Sequence, residues 1–150
     1  MAISFALRIA KKINPKKLLS HVSELSGLPY AYKNELFDER SGLVISAYNM
    51  SKEGAEFAKK DFGFYPNTYL SFRHGKFDYY NNNRIMMMVV VGLLKGLDGD
   101  FALEYTENPN AVLIRINGVV TVDTEWIETP GMEFLEKAGI TYKLERLYME

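Results

Sequence analysis

Cysteine is absent from the 150-residue sequence, and histidine occurs only twice. The absence of cysteine excludes disulfide bonds, a thiolate nucleophile and a cysteine-ligated metal cluster. A chain without disulfides suits a reducing compartment, and we therefore expect a cytoplasmic protein. The first residues, MAISFALRIAKK, do not resemble a signal peptide, because their charges follow the apolar part and Arg8 interrupts it.

The sequence also lacks a hydrophobic run long enough to cross a membrane. The longest run, Ile85 to Leu94, has ten residues including Gly92, about half of the roughly 20 that a bilayer requires. A membrane anchor is therefore not expected. The hydrophobic fraction of 47% and the charged fraction of 25% are those of a globular protein. The length predicts one domain over residues 1–150.

Motifs that mark enzymes are missing as well. There is no Gly-rich phosphate loop, Gly-x-Ser-x-Gly elbow or His-Glu-x-x-His pair. His74 ends a predicted strand with Asp78 as the nearest acid, and a surface histidine is favoured there over a general base. The acidic tripeptide Asp98–Asp100 lacks the rest of a calcium loop and is interpreted as a turn. We predict no catalytic residue, no metal site and no cofactor, and hence a protein that is not an enzyme.

The charges that are present are unevenly distributed, although the net charge is only −1. Residues 1–33 carry six basic groups against one acid, a net of +5, and residues 97–133 carry eight acids against Arg115, a net of −7. The eight acids are Asp98, Asp100, Glu104, Glu107, Asp123, Glu125, Glu128 and Glu133. Two interpretations stay open: solvated faces that keep the protein soluble, or an acidic surface that attracts a basic partner. Nucleic-acid binding is disfavoured, because the chain is not basic and its lysines have few interleaved aromatic residues.

The N-terminal half is predicted to alternate strands and helices. AISFALRIA has the apolar–polar alternation of a half-buried strand. NPKKLLSHVSEL predicts a helix capped by Asn14, with Pro15 at its first position. GLVISAYNM and NTYLSFRH predict two further strands, and the segment SKEGAEFAKKDFG between them predicts a short helix capped by Ser51.

The segment RIMMMVVVGLLKGL predicts a helix that is buried on nearly all sides, since it is apolar on nearly all sides. Asn81–Asn83 are candidate N-caps, Lys95 lies in the last turn and Gly96 ends the helix. Gly92 inside a helix is unfavourable and indicates a close approach to a neighbouring strand. The β-branched run Val89–Val91 leaves a strand as the alternative.

From Asp100 onward the apolar period becomes two, which indicates strands. A turn is predicted at Asn108–Asn110, and Asn117-Gly118 is a strong signal for a two-residue hairpin. That loop length sets two cross-strand pairs, Ile116 with Val119 and Ile114 with Thr121. Asp100–Val122 is therefore predicted to be an antiparallel meander.

The C-terminal part is less clearly patterned. Pro130 is predicted to open a last helix through Lys137, and ITYKLERLY fits either a strand or a helix. The element order is β-α-β-α-β-α-β-β-β. It predicts the α+β class, with a mostly antiparallel and possibly mixed sheet, helices packed on one face and a C-terminal β-meander.

Trp126 is the only tryptophan and lies in the acidic segment VDTEWIETP. A tryptophan flanked by carboxylates has the composition of a protein-interface anchor. The alternative is that Trp126 covers an open end of the core. Tyr79 and Tyr80 allow the same two interpretations.

Three segments in succession, DFGFYPNTYLSFRHGKF, LLKGLDGDFALEY and AVLIRINGVV, are followed by Trp126. In this order they resemble the Sit-type immunity family of bacterial polymorphic toxin systems, small cytoplasmic proteins that protect a cell from a toxin delivered by kin. FALRIA before a Pro-led helix and the GLVISA strand extend the resemblance. EYTENPN is longer than the polar turn expected there, and nothing after Trp126 matches.

The resemblance implies a non-catalytic protein that binds and neutralises a cognate toxin, and it supplies no catalytic residues. An acidic surface suits a toxin with a basic substrate-binding site, such as a nuclease. The predicted partner-binding residues are Glu104, Tyr105, Glu107, Asp123, Glu125, Trp126 and Glu128. The alternative function is a small-molecule or peptide-binding α+β module without catalysis, with a pocket between the sheet and the helix at Met86–Met88.

Overall fold

One mixed sheet organises the computed structural model, which describes residues 3–32, 34–107 and 110–147. The strands within this part of the chain are β1 (Ile3–Ile9), β2 (Tyr30–Tyr32), β3 (Glu35–Phe37), β4 (Val44–Asn49), β5 (Thr68–His74), β6 (Phe101–Tyr105), β7 (Asn110–Ile116), β8 (Val119–Asp123) and β9 (Tyr142–Glu145). The helices are α1 (Pro15–Ser26), α2 (Lys52–Phe62), α3 (Tyr79–Gly96) and α4 (Phe134–Lys137). The strand order is β2-β3-β4-β5-β1-β6-β7-β8-β9, antiparallel at every step except the parallel pair β8–β9.

The first strand of the chain lies in the middle of the sheet, between β5 and β6. Phe5, Leu7 and Ile9 are buried on one face, whereas Ser4 and Arg8 on the other face keep some exposure. This is the period-two pattern that the sequence predicts, and the strand is confirmed.

The two polar-capped helices also form where the sequence predicts them. The side chain of Asn14 accepts hydrogen bonds from the backbone N–H groups of Lys16 and Lys17, and the side chain of Ser51 accepts one from Gly54. Each cap satisfies N–H groups that have no partner inside the helix. Both predicted caps are confirmed.

The helix predicted from the methionine–valine segment is confirmed as α3, but its predicted cap is wrong. The N-cap is Asp78, whose Oδ1 accepts from the backbone N–H of Asn81 at 3.1 Å. Asn82 is instead buried in the first turns, and its side-chain amide bonds the backbone of Gly75 and Phe77. The asparagine therefore closes the connection from β5 rather than the helix end.

Burial of α3 on several sides follows from its composition, with Met86, Met87, Val89 and Leu93 each fully buried. The prediction that Gly92 meets a strand is wrong, because its neighbour is Leu25 on α1. A Cβ added at Gly92 would lie 2.8 Å from Leu25 Cδ2. The glycine permits two helices to pack closely on the sheet.

The C-terminal meander is confirmed in β6, β7 and β8. The Asn117-Gly118 turn, in which both residues have positive φ, joins β7 to β8. Its register contains the predicted pairs. These pairs are Ile116 with Val119 and Ile114 with Thr121. The predicted Asn108–Asn110 turn includes residues 108 and 109, which lie outside the described residues, and Asn110 begins β7.

The helix predicted from Pro130 is shorter than expected, because consecutive turns occupy residues 124–133 and α4 begins only at Phe134. Gly131 has φ +98, which is incompatible with an α-helix at that position. Within the segment ITYKLERLY, residues Tyr142–Glu145 form β9, whose parallel pairing with β8 makes the sheet mixed. Tyr148, at the end of the segment, lies outside the described residues.

The helices divide unequally between the two faces of the sheet. Residues of α1, α3 and α4 pack into the main core, whereas Ala58 and Phe62 of α2 join Phe64, Ala102 and Ala111 in a separate cluster. Because Ala102 alternates with the core residues of β6, α2 covers the opposite face. The α+β class is confirmed. The helices were predicted to pack on one face of the sheet, and among the described helices α2 departs from this by packing on the other face.

Gly75→Ala tests the closure of the β5–α3 connection. A Cβ at Gly75 would lie 2.1 Å from the backbone oxygen of Ser41 and 2.5 Å from Gly42 Cα, and backbone atoms do not move aside cheaply. We expect a loss of about 2 kcal/mol or more in the free energy of unfolding, measured by urea denaturation. Gly96→Ala is the control, since its added Cβ meets nothing closer than 3.9 Å. Equal midpoints for the two variants would contradict the steric argument.

Candidate functional site

A loop at one end of the sheet, residues 124–133 between β8 and α4, carries the only tryptophan, and we call it the Trp126 loop. Its backbone is held by consecutive turns: Trp126 N–H donates to Asp123 O, Thr129 N–H to Trp126 O, and Met132 N–H to Thr129 O, at 3.0–3.1 Å. These bonds order a segment that forms neither helix nor strand.

The start of the Trp126 loop is anchored by Asp123, whose side chain is 0% exposed. Its Oδ2 accepts from the backbone N–H of Glu125 at 2.9 Å and from Arg146 Nη1 at 2.9 Å. Its Oδ1 accepts from Leu147 N–H at 2.6 Å. One buried carboxylate thus ties together the end of β8, the loop and the chain after β9, and its charge is balanced by an arginine.

The far end of the loop is pressed against α3. A Cβ at Gly131 would lie 2.7 Å from Met87 Cβ, so the loop reaches the helix only because this residue is glycine. Glu133 accepts from Arg84 Nη1 at 2.6 Å and from Gly131 N–H at 3.0 Å. Backbone N–H groups at Glu133 and Gly131, together with Arg84, hold the pKa of Glu133 below its ordinary value.

The inner side of Trp126 packs on aromatic rings at the end of the core. Its ring centroid lies 5.6 Å from Phe5, in an edge-on arrangement, and 5.6 Å from Tyr105. Phe5 in turn lies 4.9 Å from the His74 ring. A cavity of about 150 Å³ remains between these rings, which we call the aromatic pocket. Its lining residues are Ile3, Phe5, His74, Tyr79, Asn83, Tyr105 and Trp126.

The outer side of the same region combines aromatic rings with carboxylates. Tyr79, Glu125, Trp126 and Glu128 line one depression of about 270 Å³. Tyr80 and Glu128 line the next depression, of about 390 Å³. Tyr79 is 64% and Tyr80 55% exposed. We call these five residues the aromatic–acidic patch, a composition that combines the aromatic anchors of protein interfaces with charges at their edge.

Three of the seven residues predicted to bind a partner are therefore brought together, namely Glu125, Trp126 and Glu128. Tyr105 lies directly beneath Trp126. Trp126 covers the end of the core, as one of its two interpretations holds, and part of its surface is still exposed. Its role as an interface anchor stays a prediction.

The structure does not bring the other three predicted residues to the same surface. Glu104 faces the opposite side of the sheet, where its Oε1 pairs with Arg8 Nη2 at 2.9 Å and its side chain is 12% exposed. Asp123 is buried as an anchor, and Glu107 lies exposed in the turn after β6. The period-two pattern of β6 places Glu104 and Tyr105 on opposite faces of the sheet. This pattern was sufficient to predict that the two residues do not share a surface. The burial of Asp123 had no local signal.

His74 was expected at the surface, and that expectation is wrong, since the residue is only 7% exposed. Burial lowers the pKa of His74 to about 4, so the imidazole is neutral at neutral pH. Its Nε2 is buried and has no hydrogen-bond partner among the described residues. Among those same residues, no carboxylate lines the aromatic pocket. The sequence allowed two interpretations of His74, a surface histidine or a general base, and carried no local signal of its burial.

The Asp-Gly-Asp tripeptide is part of a structural connection. Asp100 Oδ1 accepts from the backbone N–H of Asn117 at 3.0 Å, and Gly99 O accepts from Arg115 Nε at 2.8 Å. Arg115 also donates to the carbonyl oxygens of Leu94 and Leu97 at the end of α3. Within residues 3–32, 34–107 and 110–147, no group of three or more histidine or acidic side chains is arranged to hold a metal ion.

The alternative function predicts a pocket between the sheet and the helix at Met86–Met88. In the described part of the chain, no such pocket forms at Met86 and Met87, because both side chains are fully buried in the main core. A larger cleft, of about 630 Å³, lies instead between α1 and the strands β2 and β4. Its lining residues are Asn14, Pro15, Lys16, Leu19, Tyr30, Asn34, Ala47 and Tyr48. This volume falls within the usual range of small-molecule pockets.

Together, the mixed nine-stranded sheet, its helices and the aromatic–acidic patch define an α+β protein with a candidate binding surface at one end of the sheet. Residues 3–130 match the family model described as SitI3-like, and the chain belongs to this family. The match confirms the resemblance to Sit-type immunity proteins that the sequence motifs carry. Among curated proteins and solved structures, no significant match to the chain was found. None of the helices in the described part of the chain has the length and apolar composition of a transmembrane span.

Asp123→Ala tests the anchor of the Trp126 loop. Removing the carboxylate leaves the Glu125 and Leu147 N–H groups and Arg146 without this shared acceptor. We expect a loss of about 2–4 kcal/mol in the free energy of unfolding, together with faster amide exchange in residues 124–133. Glu107→Ala, in an exposed turn, is the control and should change stability by less than about 0.5 kcal/mol. Similar losses in the two variants would argue against the anchor.

The buried His74 predicts a specific pH dependence of stability. The unfolded chain binds a proton at this residue near its ordinary pKa of 6.5, whereas the folded chain does so only at about 4. As the pH falls through this window, the unfolded state takes up the proton preferentially, and the free energy of unfolding decreases by on the order of 3 kcal/mol.

The measurement is urea denaturation of the wild type and of His74→Gln between pH 7 and pH 4. The variant should lose less stability across the window than the wild type, because it lacks the group that titrates. His21→Gln, which removes the other histidine, should retain the wild-type loss. A parallel decline in the wild type and in His74→Gln would refute a neutral, buried His74.

Proposed function

We propose that this protein is an immunity protein that binds a cognate bacterial toxin through the aromatic–acidic patch and neutralises it stoichiometrically. The observation that carries the proposal is the grouping of Tyr79, Tyr80, Glu125, Trp126 and Glu128 at one end of the sheet. Membership of the SitI3-like family supports the immunity role. The site of action is the cytoplasm, where the toxin would otherwise act.

The aromatic and the acidic residues of the patch contribute to binding in different ways. The partly buried Trp126 is supported from below by Phe5 and Tyr105, so its orientation is set before binding and little side-chain entropy remains to be lost. Glu125 and Glu128 are exposed and contribute long-range attraction to a basic partner. A toxin that acts on an anionic substrate such as nucleic acid presents a basic surface of this kind.

The mechanism needs no chemistry from the immunity protein. Binding that covers the substrate site of the toxin is sufficient to inhibit it, and the patch offers contact area and charge rather than a nucleophile or a general base. The buried and neutral His74 fits a supporting role under the patch.

A second candidate function is binding of a small molecule or peptide without catalysis. The observation in its favour is the 630 Å³ cleft between α1, β2 and β4. Leu19 and Ala47 form an apolar floor at this cleft, while Tyr30 and Tyr48 are exposed at it. A ligand in this cleft would raise the melting temperature of the free protein, whereas a toxin-dedicated protein is stabilised by its toxin.

The double variant Glu125→Lys/Glu128→Lys tests the proposed surface. The toxin to be tested is the product of the gene that neighbours the gene of this protein. It is co-expressed to measure rescue and purified to measure association. Reversing both charges should slow association at low salt by at least about tenfold and abolish rescue, because attraction becomes repulsion. The fold should persist, since both side chains are exposed, although Glu125 loses its pairing with Arg146.

The matched control is Glu53→Lys/Glu56→Lys, which makes the same charge change on α2 at exposed positions on the other face of the sheet. It should leave association and rescue close to wild type. Equal effects of the two double variants would show that only net charge matters, and unimpaired rescue by the patch variant would reject the proposed surface. Glu104 is unsuitable for this purpose, because its replacement breaks the internal pair with Arg8.

A further inference from the structure

The aromatic pocket beneath the patch is small, and its wall is built from rings. Its volume of about 150 Å³ is below the roughly 300 Å³ at which pockets for drug-sized ligands begin. Four aromatic side chains line it together with His74, and they are Phe5, Tyr79, Tyr105 and Trp126. A cavity of this size admits one side chain rather than a cofactor.

The chemistry of the wall favours a cation. The face of an aromatic ring carries partial negative charge and attracts ammonium and guanidinium groups, most strongly on tryptophan. Among the described residues, none that lines the pocket is a lysine or an arginine. The ring faces are therefore not matched by a basic residue of the pocket lining itself.

Carboxylates stand at the edge of the pocket. Tyr79 and Trp126 line both the aromatic pocket and the neighbouring depression that contains Glu125 and Glu128. Glu125 already forms an ion pair with Arg146 at 3.1 Å, which offsets part of its negative charge. Glu128 therefore attracts an entering cation more strongly than Glu125 does. An entering cation would meet negative charge first and ring faces afterwards.

An independent observation comes from His74, a residue of the pocket lining. Its Nε2 is buried without a hydrogen-bond partner among the described residues, an arrangement that folded proteins rarely leave uncompensated. When the ring proton is on Nδ1, the neutral imidazole offers the Nε2 lone pair to a donor. A ligand that brings N–H groups into the pocket would supply what this side chain lacks.

The surface next to the pocket already holds an arginine in such an arrangement. The Arg84 guanidinium lies 4.9 Å from the Phe134 ring centroid and 5.4 Å from that of Tyr80. Its Nη1 is 2.6 Å from a carboxylate oxygen of Glu133. Rings and a carboxylate thus bind a guanidinium within the chain. The rings of the aromatic pocket and Glu128 of the neighbouring depression together offer the same components without the cation.

From these observations we infer that the aromatic pocket receives the guanidinium group of an arginine side chain from the bound toxin. The inference rests on the proposed function for the identity of the partner. Guanidinium is favoured over ammonium, because it is planar, weakly hydrated and stacks on aromatic faces. Trp126 and Tyr79 bind the flat cation, and Glu128 attracts it.

The test uses the free protein and N-acetyl-L-arginine amide as the probe, followed by tryptophan fluorescence. Because Trp126 is the only tryptophan, the signal reports on the aromatic pocket and on the neighbouring depression that Trp126 also lines. We expect a saturable change with a Kd of about 1–10 mM, as contact with the Trp126 and Tyr79 rings together with attraction by Glu128 would produce. The uncharged isostere N-acetyl-L-citrulline amide should not saturate, and N-acetyl-L-lysine amide should bind more weakly than the arginine probe.

Two variants and a control locate the site. Tyr79→Leu keeps an apolar wall but removes a ring, and Glu128→Gln removes the charge. Each should weaken the arginine probe by about threefold to fivefold. Tyr32→Leu, on the exposed edge strand β2, should leave the Kd unchanged.

The inference is overturned if fluorescence does not saturate with the arginine probe up to about 50 mM, a limit far above the expected Kd. It is equally overturned if citrulline or lysine binds as well as arginine, or if all variants bind alike. This outcome is separable from the proposed function. Toxin neutralisation that survives without probe binding rejects the pocket alone, and probe binding without neutralisation rejects the immunity role alone.

Discussion

The need to bury α3 on nearly all sides is the constraint on which the rest of the molecule depends. This helix carries Met86, Met87, Val89 and Leu93, and its apolar surface would be exposed to water unless separate elements covered it. The sheet covers one side, α1 approaches another at Gly92, and the Trp126 loop presses on a third at Gly131. A side chain at Gly131 would collide with Met87 Cβ and Arg84 Cα, and one at Gly92 would displace the side chain of Leu25. The candidate site is thus part of the covering of this helix.

The aromatic–acidic patch follows from this arrangement. The loop that covers α3 must begin at the end of β8, and buried Asp123 sets its direction by joining it to the chain after β9. Trp126 then lies over Phe5 at the end of the central strand, and the N-terminal turn of α3 places Tyr79 beside it. These residues are distant in sequence, and they converge because the end of β8, one end of the central strand β1 and the N-terminal turn of α3 lie close together. A partner would contact a surface whose supporting residues belong to the core, which limits how freely the patch can move.

Predictions succeeded where cause and effect lie within a few residues. The caps at Asn14 and Ser51, and the Asn117-Gly118 hairpin with its register, depend on local hydrogen bonds and backbone angles. The cap of α3 was misassigned because Asp78 and three asparagines are all competent acceptors, and only the bonds from Asn82 to the preceding connection decide among them. The strands β2 and β3, with three residues each, are too short to show a period. Of the predicted acidic surface, Glu125 and Glu128 remain in the patch, while pairing and burial remove Glu104 and Asp123.

The sequence by itself determined the α+β class, the buried helix, the meander and the motifs of the family, because periodicity and turn chemistry act locally and are written in consecutive residues. Only the tertiary structure decided which carboxylates share a surface, on which face α2 packs, and that His74 is buried beneath Trp126. Those outcomes depend on the order of strands in the sheet, which brings β1, β5 and the Trp126 loop to one end. Strand order arises from long-range packing, and no local pattern encodes it.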